Sequence, residues 1–568
     1  MLCPGSRSGP LALAAGGLAK NYGLNVYQSI DERSAAFFAL GLGTPNGNAS
    51  AVITTSGSAV ANLLPAAVEA DRSCIPLLLI TADRPYRLKN CGSNQTVNQE
   101  DFLLPVVRRI FKGTKEGIHL MDSDALDELV NSSWYFAHEK QSGPVHVNLP
   151  IEEPLHASAS DQEKIWSGPL LQSLAKESDS KNLQKDIGDE LIPINGESFP
   201  DLDHALPGIV IVGPWRGTNA GLEKFRKVLD LWCSLSKWPV FVDPLSGLSQ
   251  KESLFIDNWD LLLTIGLEIP HEGLQVLRLG PMPASRSLEN WLAQIGPNQL
   301  LITESDQRKL DPLGLSVQWS LGFVKWWEVR LEKTKFNIKE PCHNKSPLFN
   351  KWFENDEVIN DCLGKYLPLE GKVNEPGIAW WVSRMLPPRL PVMLAASSPT
   401  RDFLVYTGRA KFARRFFGFR GVSGIDGTLS LAMGLSISLG PLCLITGDLA
   451  LLHDSNGWLM SKFIKSPLII LLIDNGGGGI FRRLSIEQSC SSNFDKLFAM
   501  PQNVDQLSLA ESYGIPVRQI SSFEDLTNAI EWGLSKSGPV LLRVCTNASS
   551  DLQLRDKMEE KLVDQIRR

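Results

Sequence analysis

Short apolar runs that stop on Gly, Asp or Asn recur along this chain. Residues 442–446 run into Gly447-Asp448, and residues 468–473 run into Asp474-Asn475 and four glycines, Gly476 to Gly479. Runs of this kind, with helical stretches between them, predict buried strands of a parallel sheet. The same pattern predicts strands at 51–54, 76–81, 145–148, 208–213, 240–243, 261–265, 300–302 and 392–396. Strands alternating with helices predict an α/β chain of three doubly wound parallel-sheet domains.

Residues 1–155 form the first unit. Ser6-Arg7-Ser8 opens a helix, with either serine able to cap it. Asp31-Glu32-Arg33 opens a second over 34–40, and the turn Thr55-Ser56-Gly57-Ser58 leads into a third over 59–70. The strand at 76–81 ends on Ala82-Asp83-Arg84-Pro85. Residues 156–205 are polar and broken and read as a linker. Residues 206–350 form a central α/β unit without an ordered glycine-phosphate turn, a scaffold. Residues 351–371 connect it, through a helix and loop over 352–368, to a third unit over 372–568. That unit carries a turn at 421–427, and its tail, 553–568, reads as a charged, solvated helix.

The chain has 568 residues, 43% hydrophobic and 21% charged, enough for about three or four domains and a large core. A net charge of −7 argues against a general binder of nucleic acid. The basic, aromatic run at 409–420 (RAKFARRFFGFR) is therefore read as a solvated or interface surface, apart from Arg420. No apolar run approaches the ~18 residues of a membrane span. Nine scattered cysteines without a CxxC read as reduced thiols in a cytoplasmic compartment. Arg7 followed by PLALAAGGLA at 10–19 faintly mimics a signal peptide, but fits better as a loop and helix of the first unit.

In open α/β sheets ligands sit beyond the carboxyl ends of the strands, which places Asp448 and Asn475 side by side at one sheet edge. A carboxylate, an amide oxygen and a backbone carbonyl suit Mg²⁺ (or Mn²⁺), and the glycines let the backbone approach a phosphate. The segment also fits a plain βαβ unit with a glycine-rich turn.

Gly447-Asp448-Leu449 followed by Asp474-Asn475 resembles the thiamin diphosphate fingerprint, Gly-Asp-Gly and then Asn-Asn. Leu449 and Asp474 depart from it, but the metal-ligand positions Asp448 and Asn475 are kept, and Gly477 would give the carbonyl. Six stretches extend the likeness: CPGSRSGPLALA (3–14), DERSAAFFALGLG (31–43), TSGSAVANLLPAAVEA (55–70), LITADRPYRLKNCGSNQ (79–95), FRGVSGIDGTLSLAMG (419–434) and GDLALLHDSNG (447–457). Together they resemble the 2-succinyl-5-enolpyruvyl-6-hydroxy-3-cyclohexene-1-carboxylate (SEPHCHC) synthases of menaquinone and phylloquinone synthesis, in which Gly-Asp-Leu is usual.

The resemblance implies the pyruvate-oxidase-type architecture, a homodimer or dimer of dimers, and decarboxylation of 2-oxoglutarate on thiamin diphosphate followed by 1,4-addition to isochorismate. Glu32 would bond the cofactor's pyrimidine ring and start a proton relay; alone, Glu32 also reads as a carboxylate complementing a helix dipole. Ser56, Gly57, Ser423 and Ile425 would hold or bend the cofactor, and Ile480 and Phe481 would wall its pocket or pack in the core. Arg7, Arg84, Arg401 and Arg420 would bind substrate carboxylates, with Ser6, Asn94, Gln95 and Ser397 as polar partners. Arg286 falls where the family places a lysine. The family carries a helix and a first strand before the Pro-Gly-Ser-Arg-Ser loop, which begins here at Pro4, so an unpaired sheet edge is expected. Two rival readings remain: another thiamin-dependent enzyme of the acetohydroxyacid synthase or 2-oxoacid decarboxylase kind, which would turn over pyruvate, and a non-catalytic nucleotide-binding scaffold, which would not need Glu32.

Overall fold

The structure, a computed structural model, describes residues 1–139, 141–167, 199–248, 254–266, 273–296, 298–334, 347–410, 414–484, 486 and 493–566. Most of the expected linker, 168–198, lies outside the described residues; just before it, Ala159–Ser167 is a helix.

Three all-parallel sheets organise the chain. The first holds β1 (Ser50–Thr54), β2 (Leu77–Asp83), β3 (Ile110–Lys112) and β4 (Pro144–Pro150) in the order β1-β2-β4-β3. The second holds β5 (Gly208–Val212), β6 (Val240–Val242), β7 (Phe255–Ile256), β8 (Gln275–Leu279), β9 (Gln299–Ile302) and β10 (Ser316–Trp319) in the order β10-β9-β8-β5-β6-β7. The third holds β11 (Val392–Leu394), β12 (Phe416–Gly418), β13 (Leu442–Gly447), β14 (Leu468–Asp474), β15 (Val517–Ile520) and β16 (Pro539–Cys545) in the order β12-β11-β13-β14-β16-β15. These are doubly wound orders, whose reversal points open a crevice at the carboxyl edge.

The outer edge of β1 is not bare. Cys3 N donates to Ile53 O at 2.9 Å and Ile53 N to Met1 O at 2.9 Å, while the terminal amine donates to Ala51 O at 2.6 Å. Residues 1–3 thus pair where an unpaired edge was expected. Ser8 sits at the cap of the helix Gly9–Tyr22 but makes no cap bond; its hydroxyl donates to Gly5 O at 3.1 Å. Asp31 does cap the helix Glu32–Gly43, accepting from Ser34 N.

Two further expectations fail. Residues 261–264 belong to a helix, Trp259–Thr264, with Ile265 at its C-cap, not to a strand. Their apolar run is buried on a helix, a case periodicity alone does not separate from a strand. The strand that takes its place, β8, carries Gln275 and Arg278 among its apolar residues. The tail is not wholly solvated either: the helix Ala548–Ile566 buries Asp551, Arg555, Met558 and Leu562 against the third unit.

The units share cores. Phe37 and Phe38 of the helix Glu32–Gly43 join Leu429, Ala432, Met433 and Leu444 of the third unit in one apolar cluster. That helix and Thr428–Leu439 approach so closely that a Cβ at Gly41 would lie 2.3 Å from Leu431 O, and one at Gly434 2.1 Å from Phe38 O. Another cluster joins Phe241, Trp259, Trp291 and Trp352 to Trp380, Leu394 and Leu471. An ion pair clasps the first unit to the second: Arg308, steadied by Asp306 of its own unit at 2.7 Å, meets Asp71 at 3.3 Å. The basic run serves this assembly too. Arg409 pairs with Asp257 at 3.1 Å and Glu357 at 2.6 Å, Arg415 donates to Asn219, and Arg414 is buried on backbone carbonyls of Leu386 and Leu390.

Candidate active site

β13 and β14 are in register with Gly447 opposite Ile473, so Asp448 and Asn475 leave the sheet together at its carboxyl edge. Asp448 is buried. Its Oδ2 accepts from Gly477 N at 2.6 Å and its Oδ1 from Leu449 N at 2.8 Å, while Gln506 donates to its backbone carbonyl at 3.0 Å. Burial pushes the Asp448 carboxyl up to about 6, with nearby Asp474 adding to the rise against the amides of Leu449 and Gly477.

Asn475 donates through Nδ2 to Glu375 Oε1 at 2.6 Å, and its Oδ1 is buried without a hydrogen-bond partner among the described residues. An orphaned amide oxygen beside a buried carboxylate is what an oxygen-seeking cation would satisfy. Gly477 has φ +118°, and a Cβ there would meet Ala499 O at 2.1 Å. Only glycine fits this crowded, left-handed position. The donor set therefore fits a hard divalent cation carrying phosphate oxygens.

Ile480 and Phe481 follow on the 3₁₀ turn Gly479–Arg483; Phe481 is exposed and meets Phe498 at a ring distance of 5.9 Å. Across the crevice, Arg401 donates to Ser397 O at 3.0 Å and Arg420 to Ser423 Oγ at 3.3 Å. Desolvation and then the guanidinium groups of Arg420 and Arg483 hold the Arg401 pKa below its usual range, so these cations sit close together. Ser397 and Ser423 both have positive φ, +76° and +56°. Ile425, half-buried, takes the Thr428 hydroxyl on its carbonyl at 2.9 Å.

A second cluster gathers at the carboxyl edge of the first sheet. Arg84 donates to Ser56 Oγ and to Gln95 O, the latter at 2.9 Å, and Gln95 Nε2 donates to Ser56 O at 2.9 Å. Gly57, at φ +82°, donates to Gln99 Oε1 at 3.1 Å. Arg7 is buried, bonded to Ile151 O at 2.9 Å and to Glu153 at 3.4 Å. Burial, then the charge of Arg7, lowers the Arg84 pKa. Ser6 and Asn94 lie exposed on the same loops.

Two expected residues stand apart from these clusters. Glu32 accepts at 3.5 Å from Asn62 of its own unit. Arg286 is exposed at the start of the helix Arg286–Ile295 and pairs with Glu289 at 2.9 Å, one turn on. In the chain as folded, Arg286 spends its charge on that helix neighbour.

Sequence reasoning missed the support behind Asn475. Arg555 donates to Glu375 Oε2 at 3.0 Å and to Asp402 Oδ2 at 2.8 Å, and Arg483 donates to Asp402 Oδ1 at 2.7 Å. Glu375 N donates to Asp551 Oδ2 at 3.3 Å. The available signal was the pattern of the last helix, where Asp551, Arg555, Met558 and Leu562 repeat on one face.

The layout, two outer α/β units with a glycine-cradled acid and amide on the last, is that of the thiamin-diphosphate-dependent enzymes. Residues 2–102 match the thiamine pyrophosphate enzyme N-terminal TPP-binding domain, and residues 402–544 the C-terminal TPP-binding domain. A thiamine diphosphate-dependent 4-hydroxybenzoylformate decarboxylase from Rhodococcus jostii RHA1 shares the fold, with TM-score 0.62 over 96% of this chain and 95% of that one at 14% identity. Within this class, the chain belongs to the 2-succinyl-5-enolpyruvyl-6-hydroxy-3-cyclohexene-1-carboxylate synthase family. It is 53% identical to the Prochlorococcus marinus MIT 9313 synthase of that name over 99% of this chain and 97% of the relative. It is also 50% identical to the one from Synechococcus sp. CC9311, over 99% and 96%.

Proposed function

We infer that this chain is a transferase that decarboxylates 2-oxoglutarate and adds the resulting carbanion in 1,4 fashion to isochorismate, giving SEPHCHC and carbon dioxide. The observation that carries the substrate reading is one of charge. Arg84, Arg401 and Arg420 have no carboxylate in ion-pairing range among the described residues; their guanidinium groups bond instead to Ser56 and Gln95, to Ser397 and to Ser423. Partly desolvated guanidinium groups without counter-ions are costly unless an anionic ligand supplies them. The donor keeps a distal carboxylate after losing carbon dioxide, and the acceptor brings two more.

Bound thiamin diphosphate supplies the electron sink that a 2-oxo acid needs to lose carbon dioxide. Asp448, Asn475 Oδ1 and the Gly477 carbonyl would hold Mg²⁺ or Mn²⁺ against its diphosphate. Ile425 would prop it from below, and Ser56, Gly57 and Ser423 would line it. Glu32 would hold and pass the proton at its pyrimidine ring. Arg401, Arg420 and Ser397 would take the distal carboxylate of 2-oxoglutarate, and Arg7, Arg84, Ser6, Asn94 and Gln95 the carboxylates of isochorismate. Phe481 and Ile480 would keep water from the reacting carbon.

Glu32 faces Asn62 within its own unit, so the reading includes a second copy of the chain that brings its Asp448 cluster to this Glu32. Exposed apolar side chains close in sequence to both clusters support such a contact: Tyr86 and Val97 in the segment that carries Arg84 and Gln95, and Val422 beside Arg420 with Phe481 and Leu484 just after Asn475. A dimer, or a dimer of dimers, follows. No helix among the described residues is long and apolar enough to cross a membrane; a cytoplasmic site of action belongs to the same proposal.

The test supplies 2-oxoglutarate, isochorismate, thiamin diphosphate and Mg²⁺ and follows loss of isochorismate absorbance. Loss that requires all four supports the reading. No loss, with ready consumption of pyruvate, would overturn the substrates and favour the decarboxylase alternative.

A further inference from the structure

We propose that Glu375 is a positioning residue for the metal site: its carboxylate fixes the Asn475 amide so that the oxygen, not the nitrogen, faces the cation. The inference rests on the thiamin diphosphate reading above and deepens it.

Chemistry forces the orientation. A carboxylate only accepts hydrogen bonds, so the edge of the Asn475 amide that meets Glu375 Oε1 at 2.6 Å must be its NH₂ group. The opposite edge is then Oδ1, buried and without a hydrogen-bond partner among the described residues. A freely turning amide would present its NH₂ half to the cation in one of two orientations, and NH₂ repels a cation.

Glu375 can enforce this because it is itself held. It stands in the first turn of the helix Glu375–Met385, which Asn374 caps by accepting from Gly377 N at 2.8 Å. Arg555 fills its second oxygen at 3.0 Å, and Arg483 approaches to 3.6 Å. Arg555 comes from the C-terminal helix, 180 positions along the chain, and Arg483 from the turn that carries Ile480 and Phe481. Three distant segments therefore lock one carboxylate against one metal-site amide. Supports of this kind behind a ligand orient it and raise its affinity for the ion.

The test uses Mn²⁺ as probe. Free Mn²⁺ is counted by its electron paramagnetic resonance signal while the protein is titrated in saturating thiamin diphosphate, and the Tm of the metal-free protein is taken alongside. Glu375→Ala should weaken Mn²⁺ binding by roughly 10- to 100-fold. Glu375→Gln, whose oxygen can still accept from Asn475, should weaken it less. Asp402→Asn touches Arg555 and Arg483 but not Asn475; it should lower Tm while leaving Mn²⁺ affinity within about threefold of the unaltered protein. An unchanged Mn²⁺ affinity in Glu375→Ala overturns the proposal, as does an equal loss in Asp402→Asn, which would mark a merely structural cluster. If Glu375→Ala does not fold, Glu375→Gln decides: unless it weakens Mn²⁺ more than Asp402→Asn does, the proposal falls. Should the unaltered protein hold no Mn²⁺ with thiamin diphosphate, the cofactor reading falls and this inference with it.

Discussion

Gly477 donates its backbone N–H to Asp448 Oδ2 at 2.6 Å across 29 positions of sequence, closing the two strand ends into one cradle. The bond holds a carboxylate that burial has already raised to about 6. Below that value the metal-free site carries a proton that a cation must displace. Apparent Mg²⁺ affinity should therefore fall towards tenfold per pH unit below about 6 and level off above it. The metal-free fold should respond in the opposite sense. A carboxyl with a raised folded pKa binds its proton more tightly when folded, so its contribution to stability declines as pH rises from about 4 to about 6. Thiamin diphosphate titrations by tryptophan fluorescence at several pH values check the first effect and thermal melts the second. Asp448→Ala should abolish metal-dependent binding at every pH.

Glu32→Gln should separate binding from turnover. The amide keeps the size of the side chain and its contact with Asn62 but is a poor proton acceptor. Cofactor affinity should stay within about tenfold while kcat falls at least about 100-fold. Near-normal turnover by this variant would remove Glu32 from the relay.

The Asp448–Asn475 edge was legible because it depends on local signals. Apolar runs fix β13 and β14, and polar residues mark where they stop. The two arginine clusters were legible only through motif resemblance. The failures have a common physical cause. Residues 261–265 form an apolar run buried on or beside a helix, and β8, which carries Gln275 and Arg278, lacks the unbroken apolar run that would have marked it as a strand. Arg555 looked solvated because a charged residue in a polar tail is usually exposed; only tertiary packing brings it to Glu375 and Asp402. Arg286 came from a loose alignment; in the folded chain it pairs with Glu289, one helical turn away.

The helix pair that joins the outer units offers a stability test. A methyl at Gly434 would sit 2.1 Å from Phe38 O, a backbone atom that cannot swing aside. Gly434→Ala should cost about 1–3 kcal/mol by forcing the helices Glu32–Gly43 and Thr428–Leu439 apart. Gly16, in the helix Gly9–Tyr22, has open space around its Cβ position. Gly16→Ala should instead stabilise by about 0.5–1 kcal/mol. Urea unfolding of both variants gives the two signs, and equal destabilisation would contradict the packing argument.

Arg401 and Arg420 should show a trade-off between stability and function. Each lacks a carboxylate in ion-pairing range among the described residues, and the Arg401 pKa is lowered by desolvation, then by the charges of Arg420 and Arg483. In the ligand-free protein that repulsion is a cost, so Arg401→Ala should leave Tm unchanged or raise it. With substrate present the same removal deletes a charge-assisted hydrogen bond to the distal carboxylate of 2-oxoglutarate. Such a bond is worth about 1.5–3 kcal/mol, so kcat/KM for 2-oxoglutarate should fall by roughly 10- to 150-fold in Arg401→Ala or Arg420→Ala. Arg401→Lys should recover only part of this, because a point charge does not reproduce the planar fork. The same variants should leave the KM for isochorismate nearly unchanged, whereas Arg84→Ala should raise it. Steady-state kinetics with each substrate varied in turn, beside a thermal melt of the ligand-free protein, decides the matter. A fall in Tm that parallels the fall in kcat/KM would mean these arginines hold the fold rather than the substrate.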